Sequence, residues 1–289
     1  MQMTASWYQR FPARIPHEPR DLYKECYRDL YHLYKEPLSE ETFLEGSQYT
    51  QSEMGEALFK EIAATRNLTS LDLILCVFYV PEFDSIHSSC AAYLTHQFAV
   101  ECPFFDISDA GTLGPFIALK LAKEYGKERP QRIMIMGLEQ TSVPRNLARH
   151  DLIPIHDEAA ALFLESGPLN PSSCYGIHSV EMVSETQVYQ HFDVVKKIQS
   201  LIADHPIEDV LCLMSQDLFS YKKLNYAMAK GLIPLQKENF KFLPARVGTV
   251  KVLEALAELQ HSTSKQSCVI VIDEDIASLN LGILCLKKS

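Results

Sequence analysis

The chain has 289 residues, 47% of them hydrophobic and 22% charged, which is the composition of a folded globular protein with apolar material for one large core or two fused ones. A formal net charge of −10 argues against a nucleic-acid partner, since phosphates require a basic face. No apolar run approaches the roughly 20 residues of a membrane helix, and the first residues, polar and broken by prolines, do not form a signal peptide. The expectation is a cytoplasmic protein without membrane contact.

The chain opens with a possible edge strand at residues 5–10, after which Pro12, Pro16 and Pro19 prevent regular structure. The stretch DLYKECYRDLYHLYKE then places Leu22, Cys26, Leu30, Leu33 and Tyr34 at helical spacing, which predicts a core-covering helix over 21–35. A second helix is predicted over 52–66, with Ser52 as N-cap and Met54, Leu58 and Ile62 on one face. LDLILCVFYV (71–80) is a continuous apolar run, as expected of a strand buried on both faces. It is followed by SSCAAYLTHQF, by CPFFDISDAGTLGPFIALKLAKEY with a buried helix behind its early glycines, and by a second buried strand RIMIMG (132–137). In the loop that follows, His150 and His156 stand six residues apart with one Asp between them, a spacing that fits solvated histidines better than metal ligands. HDEAAALFLESG (156–167) closes this half.

The second half repeats the first in outline: a strand over 175–185, a helix over 192–203, the strand DVLCLMS, a helix over 219–230, a helix GTVKVLEALAELQ, and terminal strands over 267–274 and 279–288. Alternating strands and helices in two similar halves predict an α/β fold of βαβ-type halves, 1–167 and 168–289, layered α-β-α-β-α. The eight cysteines are scattered without zinc or disulfide spacing, so neither a metal nor a cofactor is expected.

From about residue 52 to 288, the order and spacing of these pieces resemble β-ketoacyl-ACP synthase III, a condensing enzyme of the thiolase fold. Cys102, Pro103, Phe105, Asp106 and Ile107 follow the family segment CPAFDVAAACAGF, whose second Cys is the nucleophile. Here that position falls on Gly111 or, across one inserted residue, on Thr112. The family His follows DWLVPHQAN, and DVLCLMSQDL puts Met214 there; the family Asn leads a helix at GNTSAAS, where PARVGTVKVL offers Val247 or Gly248. Of the glycine-rich wall FGGGFTWG, IASLNLG (276–282) keeps only the last glycine, and Asp157 keeps the Asp of FGDGAGAAVL.

The resemblance implies a subunit that keeps the fold without the chemistry, because nucleophile, proton donors and oxyanion support are lost together. Family members dimerise through the central sheets, here 104–107 (Phe104, Phe105, Asp106, Ile107). A loop crosses into the partner's acyl tunnel, here 81–90, with Ile86 lining it beside His87 and Ser88. The implied partner is an active ketoacyl synthase III homologue, in a heterodimer or heterotetramer, as in the two-subunit condensing enzyme of alkylquinolone biosynthesis. Acyl-CoA or acyl carrier protein would be reached through that partner, the acidity of this chain opposing direct docking of an acidic carrier. The alternatives are an acyltransferase with a relocated nucleophile at Ser108, Thr112, Cys90 or Cys102, and a homodimeric acyl-CoA-binding protein.

Overall fold

The computed structural model describes residues 1–15, 21–79, 87, 89–127, 131–142, 154–167, 175–184, 193–215, 218–243, 248–262, 266–275, 278 and 280–288. Ten strands are present among them: β1 (Gln2–Phe11), β2 (Leu73–Phe78), β3 (Phe104–Ile107), β4 (Arg132–Glu139), β5 (Asp157–Glu165), β6 (Tyr175–Val183), β7 (Val210–Met214), β8 (Phe240–Phe242), β9 (Cys268–Asp275) and β10 (Asn280–Lys288). The helices are α1 (Asp21–Leu33), α2 (Gln51–Ala63), α3 (Cys90–Gln97), α4 (Gly114–Tyr125), α5 (Val194–Ile202), α6 (Phe219–Ala229) and α7 (Val250–His261).

The strands join in the order β3-β2-β4-β5-β1-β6-β10-β9-β7-β8. This row is one five-strand pattern used twice. In the first half β2 runs parallel to β3 and β4, while β5 is antiparallel to β4 and β1. Read inward from the opposite edge, β7 is parallel to β8 and β9, and β10 is antiparallel to β9 and β6. The two units meet where Gln2 of β1 pairs with Gly176 of β6.

Side-chain alternation converts this sheet into five layers. Leu73, Leu75 and Val77 of β2 point into a central cluster with Phe116 and Leu119 of α4, Leu253 and Leu256 of α7, and Val271 of β9. Ile74, Cys76 and Phe78 point the other way, under Met54, Leu58 and Ile62 of α2 and Leu94 of α3. In the second half Cys212, Ile270 and Cys285 pack under Ile198 of α5 and Leu224 of α6. Strands covered on both faces cannot alternate in polarity, which is why β2 and β4 read as unbroken apolar runs.

Three expectations need correction, and one strand is an addition. β1 is no edge, since β5 and β6 flank it. α1 forms but does not cover the core: Leu30 is 42% and Leu33 73% exposed, and Cys26 and Tyr34 are also exposed. The N-cap of α2 is Thr50, not Ser52; Thr50 and Glu53 form a capping box, and Ser52 is buried inside the helix. β8, three residues long, was not foreseen.

Candidate functional site

The two central helices start close to strand ends of the opposite half, and a carboxylate meets each start. Asp275, the last residue of β9, accepts from the Thr112 backbone N–H at 3.4 Å, in the 3-10 turn Gly111–Leu113 that leads into α4. Glu139, the last residue of β4, accepts from the Val250 N–H at 2.5 Å, at the first residue of α7. β4 and β9 hold the same place in their halves, so the contacts are reciprocal: each half closes the helix of the other. Chemically this is an N-cap supplied from a distance, with a carboxylate satisfying orphan N–H groups at the positive end of the helix dipole.

Glycines make room for both acids. Gly111 (φ +55°) and Gly248 (φ +127°) lie in backbone regions that disfavour side chains, and a Cβ on either would overlap the carboxylate of Asp275 or Glu139. Gly282 lies against the Phe116 ring, which fills the space beside it.

The acids 273–275 serve three different helices. Glu274 accepts from the N–H groups of Phe219 and Ser220, both at 2.7 Å, and from the Ser220 hydroxyl, capping α6. Asp273 is fully buried and pairs at 2.8 Å with the Nζ of Lys251, itself only 5% exposed, in the first turn of α7. Burial pushes the Asp273 carboxyl up to about 6, against the opposing pull of Lys251. The Thr112 hydroxyl donates its one proton to the Glu274 carbonyl at 3.3 Å.

The structure thus brings Gly111, Thr112 and Gly248 to the starts of the two central helices, and places Met214, fully buried, at the end of β7. Val247, Ile86 and Ser88 lie outside the described residues, as does His150. His87 stacks on Tyr93 at 3.9 Å between ring centroids, and Tyr93 donates to Glu56 of α2 at 2.5 Å. Phe104, Phe105, Asp106 and Ile107 form β3, one end of the sheet, with Phe105 49% exposed. Cys90 is sealed at the first turn of α3, while Thr112 is 3% exposed. Ser108 is exposed and donates to Asp109 at 3.5 Å. Cys102 is half-buried, and its thiol is pushed up by desolvation, away from thiolate character.

Glu139, Lys251, Asp273 and Asp275 were not picked out from the sequence. Their signal was an acid ending each of two buried apolar strands, and a lysine amid the buried positions of VKVLEALAEL. Among the described residues no cluster of three or more His, Cys, Asp or Glu side chains is arranged to hold a metal ion.

This layering, with two repeated halves around a pair of central helices, is the thiolase fold of the ketoacyl synthase III condensing enzymes. No protein-family model and no curated protein matches the chain. Among solved structures it is similar to the acyltransferase ChlB3 (14% identity, TM-score 0.66, covering 99% of this chain and 97% of that one). It is similar also to the tetronic acid condensing enzyme AbyA1 (10%, 0.65, 99% of both chains). A third likeness is to β-ketoacyl-[acyl carrier protein] synthase III of Thermus thermophilus (17%, 0.62, 100% of this chain and 99% of that one). At such identities the likeness is one of fold.

Proposed function

We propose that this chain is a catalytically silent ketoacyl synthase III-like subunit that pairs with an active condensing enzyme and completes it, in the synthesis of a fatty-acid-derived or polyketide product. The observation that carries this reading is the occupation of both central helix starts by Asp275 and Glu139. In an acyl-transferring site such N–H groups stabilise a nucleophile or an oxyanion; here side-chain carboxyl oxygens already accept from them, which leaves them unavailable to either. Met214 supplies no proton donor in place of a histidine. Of the alternative nucleophiles, Cys90 and Thr112 are buried, and the exposed Ser108 hydroxyl meets the adjacent Asp109 carboxylate, a weak base, only at a long 3.5 Å.

The pairing surface in this reading is β3, an edge strand whose outer backbone groups have no neighbouring strand among the described residues. Taking 1–167 and 168–289 as the two halves, continuation of the sheet through Phe104–Ile107 joins first half to first half, and obligate interfaces of this kind bury about 2,000 Å² or more. Incubation of the pure chain with acyl-CoA or malonyl-ACP is expected to leave its intact mass unchanged, and co-expression with an active homologue to yield a complex. A stable acyl adduct on Ser108, Thr112, Cys90 or Cys102 defeats the reading, as does a chain that never co-purifies.

The loop over 81–90 supplies a second test. If Ile86 lines the partner's tunnel, Ile86→Ala should lengthen the preferred acyl chain by about one or more carbon pairs, since each methylene in an apolar pocket discriminates by about 1–3 kcal/mol. Unchanged product length with a lowered melting temperature assigns Ile86 to packing within its own subunit.

A further inference from the structure

The chain carries two helix faces of opposite character, each open to solvent. On α6 and its C-cap, Phe219, Lys222, Lys223, Tyr226 and Lys230 fall within one arc of about 100°, at a helical turn of about 100° per residue. Phe219 and Tyr226 are 44% and 63% exposed, with the Nζ of Lys223 4.6 Å and that of Lys230 5.7 Å from their respective ring centroids. Residues 219–237 hold four lysines and not one Asp or Glu, in a chain with 37 acids. On α1, the exposed residues Glu25, Cys26, Asp29, Leu30 and Leu33 share a face, acidic along one side and apolar along the other. Tyr27 meets Phe43 on the inner side at 6.3 Å, and Arg28 is paired to Glu40.

The charge of the whole chain follows the same division. Residues 1–167 hold 24 acids and 15 bases, for −9, whereas 168–289 hold 13 acids and 12 bases, for −1. A helix of 13 residues is marginal in water without packing, so cover over the exposed Leu30 and Leu33 would add to its stability.

We propose that the acidic, apolar face of α1 docks on the lysine–aromatic face of α6 in a second copy of this chain. Leu30 and Leu33 would lie against Phe219 and Tyr226, with Glu25 and Asp29 beside Lys223 and Lys230. The contact is heterologous, because two different patches meet, so it propagates head to tail rather than closing as a dimer. Two short helices bury less than a standard interface of about 1,600 Å², so the association is weak and reversible. It is independent of the proposed β3 pairing, which uses another edge.

Sedimentation velocity of the full chain tests it, from roughly 1 to roughly 200 µM protein in roughly 50 mM and roughly 500 mM salt. The expected result is a mean mass that rises with concentration in low salt and returns toward the monomer or the β3-paired unit in high salt. Glu25→Lys/Asp29→Lys and Lys223→Glu/Lys230→Glu should each weaken the low-salt association at least about tenfold, and an equimolar mixture of the two variants should restore it by alternating. Circular dichroism identical to that of the parent chain shows that both variants fold. A mass independent of concentration in low salt overturns the proposal. So does an assembly indifferent to both reversals, or a mixture that stays apart.

Discussion

Lys251→Ala is expected to be the most damaging single exchange in the chain, because it strips the counterion from a carboxylate with no exposure to water. Asp273 and Lys251 form an ion pair at 2.8 Å between β9 and the first turn of α7. Breaking a buried pair by removing one partner costs about 3–5 kcal/mol, most of it the burden of the charge left behind. In a chain of this size that lowers the melting temperature by roughly 10 °C. The pH dependence separates this cause from lost packing. The folded-state pKa of Asp273 is raised, to about 6 from 3.8, so its contribution to stability is fully present below pH 3.8 and is lost as pH rises through about 6. Without Lys251 the carboxyl rises further, and the loss extends to higher pH. Thermal melts should therefore show a larger gap between Lys251→Ala and the parent chain at pH 7.5 than at pH 5. Lys251→Met with Asp273→Val removes both charges and should recover most of the stability. A gap independent of pH would mean that the ion pair is incidental.

Much of the architecture was legible because the helices and strands follow burial. β2 is buried at all six positions and β4 at all but its first, so both stood out as apolar runs of strand length. Periodicity failed where it had to say what covers a face: α1 has the spacing of a core helix, yet nothing in a single chain distinguishes an inward stripe from one facing a partner. The cap of α2 was readable, since Thr50 and Glu53 form the S/T-x-x-E signature, and Ser52 drew attention only by standing nearer the apolar face. At the candidate site, the resemblance proposes Gly111 or Thr112, Met214, and Val247 or Gly248 for the family's Cys, His and Asn. It does not reveal the carboxyl groups that meet the two helix starts. An Asp or Glu after an apolar run ordinarily marks the end of a strand in water, and only the crossing of the two halves turns Glu139 and Asp275 inward onto helices more than 100 residues away, as the separation of 111 between Glu139 and Val250 shows.

That crossing also decides what happens if the family's residues are introduced at these positions. Gly111→Cys introduces a Cβ where the backbone has φ +55° and the Asp275 carboxylate already lies. A side chain in this left-handed region costs about 1–2 kcal/mol, and pushing Asp275 aside forfeits a cap worth about 1 kcal/mol. Gly248→Asn meets the same conflict with Glu139 at φ +127°, a region nearly restricted to glycine, where strain costs about 1–3 kcal/mol. The triple variant Gly111→Cys/Met214→His/Gly248→Asn also buries an imidazole where Met214 has no exposure. Its destabilisation should total about 5 kcal/mol or more, a large share of the 5–15 kcal/mol of an ordinary domain, and no acyl adduct should appear by mass spectrometry. Removing the obstruction gives the decisive comparison: Gly111→Cys with Asp275→Gly should be more stable than the sum of the single exchanges by about 1–3 kcal/mol, because the two groups compete for one space. Strict additivity, or an acylated cysteine in Gly111→Cys alone, would show that Asp275 does not occupy the place of the nucleophile.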